Sequence, residues 1–187
     1  MTVSETTYVK TAVSKKDLFW LSGAASILAG ILTVIGSLIA SSGGNGSLTW
    51  IFGLGNIFTL FALIGIYGVQ VGKSGWWGLI GFVLASTGNL LLVGGEEQTL
   101  AGMNFVLLGS SFSSLGLILL AIGSLRSRAF PRLAPFLWIL APLVGIPGMI
   151  AGGLANLFVT LAGVIFGLGF IAAGYYLFTR NLPKREG

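Results

Sequence analysis

Long charge-free apolar stretches follow one another along this chain, separated by short polar breaks. The first runs from Leu18 to Ala40, and others cover about Trp50–Val71, Trp76–Val93, Leu100–Leu125, Leu133–Ala151 and Leu154–Phe178. A helix of about 20 residues, at 1.5 Å rise each, crosses a hydrocarbon core roughly 30 Å thick. The pattern therefore predicts an all-α membrane protein with six transmembrane helices. The first stretch exceeds the apolar region of a cleaved signal peptide, and Ser37 to Ser42 is a poor cleavage site, so it reads as a retained span. The fifth is the weakest, because Gly152 and Gly153 leave almost no loop before the sixth. Residues 1–17 and 179–187 read as terminal segments, and 18–178 as the membrane domain.

The positions of the charges give this count a direction. Lys10, Lys15 and Lys16 precede the first span, and Lys73 separates the second from the third. Arg126, Arg128 and Arg132 separate the fourth from the fifth, and Arg180, Lys184 and Arg185 follow the sixth. All ten basic residues thus fall on one side of a six-span layout. The opposite loops carry none, and one holds Glu96 and Glu97. Because basic loops stay in the cytoplasm, both termini are expected there, in a multi-pass protein of a bacterial plasma (inner) membrane. Trp20, Tyr67, Trp76, Trp77, Trp138, Tyr175 and Tyr176 cluster toward the cytoplasmic ends and Trp50 toward the outer end, as amphipathic rings anchored at the headgroups would.

Composition narrows the chemistry. Of 187 residues, 55% are hydrophobic and 8% charged, against roughly 25% charged in an ordinary soluble domain. Such a chain has no polar shell to offer water. Its 30 glycines suit membrane helices, where small residues let backbones approach. With no Cys and no His, thiolate chemistry, disulfides and the commonest metal ligands are excluded. The net charge of +5 flanks the spans, so it reads as an orienting signal and a contact with membrane lipids, with no nucleic-acid partner implied.

An internal repeat suggests three helical hairpins in series. The first helices carry Trp20 with Gly30, Trp77 with Gly88 and Trp138 with Gly148. The second helices open on Asn56, Asn104 and Asn156, each followed by an apolar or aromatic pair. The fourth and sixth stretches also align at a fixed offset, pairing Gly116 with Gly167, Ala121 with Ala172 and Gly123 with Gly174. This plan, with its Trp…Gly pattern over Leu18 to Phe178, resembles the small six-span bacterial membrane proteins of the HdeD-type acid-resistance family. The resemblance implies a three-hairpin architecture and a stress-related role, and brings no functional residue with it.

Candidate sites are sparse. No Asp, Glu, Lys, Arg or His interrupts the apolar stretches. A charge at the bilayer centre costs roughly 2.5–3.5 kcal/mol on insertion scales and usually persists only for function. Proton pumping, voltage sensing and Lys-linked pigments are thereby disfavoured. Asn56, Asn89, Asn104 and Asn156 are candidates for a polar ring or solute pathway, with helix capping and interhelical bonding as the plainer role. Pro142 and Pro147 each remove a backbone donor from the fifth span. A break there would free carbonyls for a solute, as in many transporters, although a kink serving only packing is as ordinary. Gly109, Ser113, Gly163 and Gly167 form small-residue faces suited to helix packing or to docking another subunit. Glu96 and Glu97 read as a solvated loop.

No catalytic, cofactor or metal site is expected. The favoured expectation is a non-catalytic structural or accessory membrane protein, a subunit of a larger membrane complex or a stress-related component, with homo-oligomerisation also open. The alternative is a channel or facilitator for a small neutral solute.

Overall fold

The computed structural model describes residues 14–43, 49–93, 99–100, 103–128, 130–148 and 152–180. Six α-helices account for nearly all of them: α1 (Lys15–Ser41), α2 (Thr49–Gln70), α3 (Gly75–Val93), α4 (Phe105–Ser127), α5 (Leu133–Gly148) and α6 (Ala155–Thr179). Five of these, all but α5, are long and apolar enough to cross a membrane. The protein is helical and of the membrane type by these criteria.

Helix α1 begins one turn before the apolar stretch because Ser14 and Asp17 form a capping box. Asp17 N–H donates to Ser14 Oγ at 3.2 Å, and the Asp17 carboxylate accepts from Ser14 N–H at 3.1 Å and Ser14 Oγ–H at 2.8 Å. These bonds from Ser14 hold the Asp17 carboxyl below its ordinary 3.8.

The fourth helix starts later than its apolar stretch does. Leu100 lies not in helix but in β1 (Thr99–Leu100), paired antiparallel with β2 (Met103–Asn104). Asn104 then caps α4, its Oδ1 accepting from Val106 N–H at 2.6 Å. An amide side chain serves the orphan N–H groups of a first turn better than it serves a helix interior, so the boundary moves to Phe105.

Helix α5 runs unbroken through Pro142 and ends at Gly148, one residue after Pro147. Its 16 residues span roughly 24 Å at 1.5 Å each. The expected span to Ala151 continues into positions outside the described residues. A 3-10 turn at Gly152–Leu154 leads into α6, with Gly152 at φ +55°.

The helices pack up and down in a closed ring. Each touches its neighbours in sequence, and α1 closes the ring on α6. The most intimate pairs are α3 with α4 and α1 with α6, and glycine explains both. A Cβ at Gly167 would lie 2.6 Å from the Gly30 carbonyl oxygen, and one at Gly174 would lie 2.6 Å from that of Gly23. In the other pair, a Cβ at Gly116 would lie 2.8 Å from the Gly81 carbonyl oxygen, and one at Gly109 2.8 Å from that of Gly88. Backbone rides on backbone at four crossings. Two of them lie within the second hairpin and two between the first and last helices, so the contact does not recur hairpin by hairpin. Ser26 reinforces the α1–α6 seam by donating to Phe170 O at 2.7 Å.

The lower end of the bundle, where α2, α4 and α6 finish, is solid. Leu63, Ile66, Leu117, Leu120, Phe170 and Leu177 fill it, each fully buried. Trp138 belongs to this core too. It is 1% exposed, with Phe130 and Phe170 rings 6.4 Å and 5.3 Å away. The headgroup anchor expected of Trp138 is therefore corrected: α5 turns that ring inward, and the missing side chain of Gly169 makes room for it. Trp20, Trp50, Trp76, Trp77 and Tyr175 are outward-facing and exposed, within an apolar belt of exposed Leu, Ile, Val and Phe.

Candidate functional site: a polar pocket joined to a lateral cleft

The upper half of the bundle is looser than the lower. Where α1, α2, α3, α4 and α6 converge, a pocket of about 140 Å³ is lined by Thr33, Asn56, Asn89, Ser110, Ser113 and Ser114, with Phe166 among its apolar walls. Ser110, Ser114 and Phe166 are shared with a larger cleft of about 490 Å³ between α4, α5 and α6. That cleft is mainly apolar and opens sideways past Leu107, Leu115 and Ile146, all more than half exposed. It lies where α4 and α5, the least intimate neighbours in the ring, draw apart. Helix α5 lines it with Ala141, Pro142, Gly145 and Ile146. Pro142 thus stands in the wall of the cleft within a continuous helix, while Pro147 lies outside that wall near the helix end. A third space of about 290 Å³, between α1, α2 and α6, holds Asn156, Thr160 and Ser37 and shares Thr33 with the first pocket.

Three polar groups at the pocket merit separate accounts. Asn89 is 1% exposed, and its amide nitrogen donates to Ala85 O at 2.8 Å and to Ser113 Oγ at 3.0 Å. The contact with a carbonyl fixes which end of the amide is nitrogen, since only N–H can donate there. Its Oδ1 has no partner among the described residues. Neither the half-buried Asn56 amide nor the Ser114 hydroxyl makes a hydrogen bond within the described residues. Among the described residues, no ionisable side chain lines any of these spaces. Thr33 Oγ1 instead donates to Ala29 O of its own helix at 2.8 Å.

The four asparagines are accordingly divided. Asn56 and Asn89 share the pocket, Asn156 faces the neighbouring space, and Asn104 is the exposed cap of α4. The small-residue faces lie inside the molecule. Gly109 packs on Gly88 and Leu92, Gly167 on Gly30 and Val34, and Gly163 on Ser37, while Ser113 is buried beside Asn89. Glu96 and Glu97 lie outside the described residues, and no metal-binding cluster occurs among the described ones.

Nothing in the sequence singles out Ser114 from its neighbours or marks Gln70 as internal. Ser114 belongs to the run Ser110, Ser111, Ser113 and Ser114, and only helix rotation brings it to both the pocket and the cleft. Gln70 closes α2 and is fully buried, with neither amide atom partnered among the described residues. A Gln followed by Val71, Gly72 and Lys73 reads as an interfacial residue, and no local signal marks it as internal. Compared with known proteins, the chain matches no family model, no curated protein and no solved structure.

Proposed function

We propose that this is a non-catalytic accessory protein of the bacterial plasma membrane, crossing it six times with both termini in the cytoplasm. It acts by holding a partner or small molecule, as a subunit of a larger membrane complex or a stress-related component. The stress-related variant rests on the resemblance to the HdeD-type family. The observation that supports a holding role is the polar pocket set above a packed core, whose Leu, Ile and Phe side chains lie a turn or two along the helices from the pocket lining. Amides and hydroxyls with no acid, base or metal ligand beside them among the described residues suit binding of neutral groups better than turnover. Extraction in mild detergent followed by native mass spectrometry tests the accessory role. A stoichiometric larger partner is expected, and a lone chain under the same conditions would remove the subunit variant.

The second reading is a facilitator for a small neutral solute, favoured by the adjoining polar spaces around Asn56, Asn89 and Asn156. It requires the lower core to part. Flux of polyols into proteoliposomes, lost in Asn56→Leu, would establish it; flux equal to that of empty vesicles would exclude it.

A further inference from the structure

We infer that the joined pocket and cleft form a binding site for a neutral, hydroxyl-bearing lipid, its chain in the cleft and its head among Asn56, Asn89 and Ser114. This rests on the membrane-spanning reading but on neither the subunit nor the facilitator role.

The shape of the cleft suits an acyl chain. The cleft's volume of about 490 Å³ lies within the usual range for small-molecule sites, about 300–1,000 Å³, and its exposed rim, Leu107, Leu115 and Ile146, lies along the sides of α4 and α5. Along α4 it runs from Leu107 to Ile118, roughly 16 Å at the helical rise. In a bilayer such an opening faces acyl chains, and its apolar walls receive one without loss.

The polar end selects the head group. Within a membrane an unpartnered polar atom costs several kcal/mol. The pocket holds one in a side chain that is almost wholly buried: Asn89 Oδ1, whose own N–H groups are already spent on Ala85 O and Ser113 Oγ. That oxygen can only accept, so its partner must carry an O–H or N–H. A quinone or a simple ester offers acceptors alone and leaves it unsatisfied. Asn56 and Ser114 can both donate and accept, which suits a second hydroxyl or an ester carbonyl on the same ligand. With no ionisable side chain among the described residues lining either space, a phosphate or ammonium head would enter without a counter-charge from them, at a large cost. The head is therefore neutral and hydroxylated, as in a monoacylglycerol or a long-chain alcohol.

The test uses the full-length protein in nanodiscs with a monoacylglycerol bearing a diazirine on its chain and an alkyne tag. After photolysis, labelled peptides are mapped by mass spectrometry. Label is expected on the α4, α5 and α6 segments around Leu115, Ile118 and Ile146. Unlabelled monoacylglycerol should displace it, while phosphatidylglycerol and a short-chain quinone should not. Loss of one neutral hydrogen bond, in Asn56→Leu or Ser114→Ala, should weaken labelling about fivefold. Asn156→Leu, in the neighbouring space, should leave it unchanged. Neither Asn56 nor Ser114 supports a described hydrogen bond, so these variants keep the fold, and an unchanged unfolding midpoint verifies it. Label spread evenly over the outward-facing residues, or equal competition by the quinone, would overturn the inference. So would labelling indifferent to both head-group variants. If the membrane reading itself fails, the protein will not enter nanodiscs at all, which is a separate outcome.

Discussion

Asn89 shows how much one amide settles inside an apolar bundle. It ties α3 to α4 through Ser113 and bonds back to its own helix through Ala85 O. Asn89→Leu should lower stability by about 0.6–1.7 kcal/mol, the range for interhelical hydrogen bonds in membranes, read from denaturant unfolding in mixed micelles. Gln70 is the converse case, fully buried with its amide unpartnered among the described residues. Replacing it by Met, similar in shape and free of polar donors, should raise stability by about 1 kcal/mol or more, because an unpartnered buried amide costs 1–3. A fall instead would show that the amide has a partner. At the start of α1, bonds from Ser14 depress the Asp17 carboxyl below its ordinary 3.8. A depressed carboxyl contributes stability above its unfolded value and loses it as pH falls through the folded one. Amide exchange at Asp17 and Leu18 should therefore accelerate on acidification below 3.8, and Asp17→Asn should flatten that dependence.

Between helices, the glycine crossings decide what can move. The α1–α6 and α3–α4 pairs bring backbone against backbone at Gly30/Gly167 and Gly81/Gly116, whereas nothing lies within reach of a Cβ at Gly53. Gly116→Ala should thus destabilise the protein by roughly 1–3 kcal/mol through overpacking against α3. Gly53→Ala should be neutral or improve stability by up to about 1 kcal/mol, since Ala restricts the unfolded chain. Thermal melts of the two variants side by side check this; equal effects would mean that the crossings are not where the stability resides. Helix α5 lacks such a seam with α4. The cleft opens there, between two helices held by looser contact.

For the molecule as a whole, the prediction concerns orientation. The chain has no Cys, so single introduced thiols report on one position each. With six spans and both termini inside, Ser42→Cys should react with a membrane-impermeant maleimide on intact cells. Lys73→Cys and Arg128→Cys should react only after permeabilisation. Labelling of Arg128→Cys from outside would mean that one of the first four helices does not cross. A Thr179→Cys thiol shielded in intact cells, together with a shielded Arg128→Cys, is expected if α5 and α6 both cross; labelling of Thr179→Cys alone would mean that only one of them does.

Hydropathy alone carried the membrane class and most helix boundaries, missing the starts of α1 and α4 where Ser14 and Asn104 act as caps, because free energy of burial in hydrocarbon depends on composition over about 20 residues and on little else. The same reading located the glycines and asparagines that organise the interior, since both residue types are costly or useful in ways that do not depend on partners. What it could not decide was rotation about each helix axis and which helices become neighbours. A stretch apolar all round has no preferred face, so nothing local tells Trp138 to turn inward while Trp77 turns out, or Ser114 to enter the pocket while Ser111 stays exposed. Gly167 meets Gly30 only because the last helix returns to the first, a contact across almost the whole chain. The polar pocket likewise exists only where five helices converge. Periodicity carries the elements, and packing between distant segments carries the site.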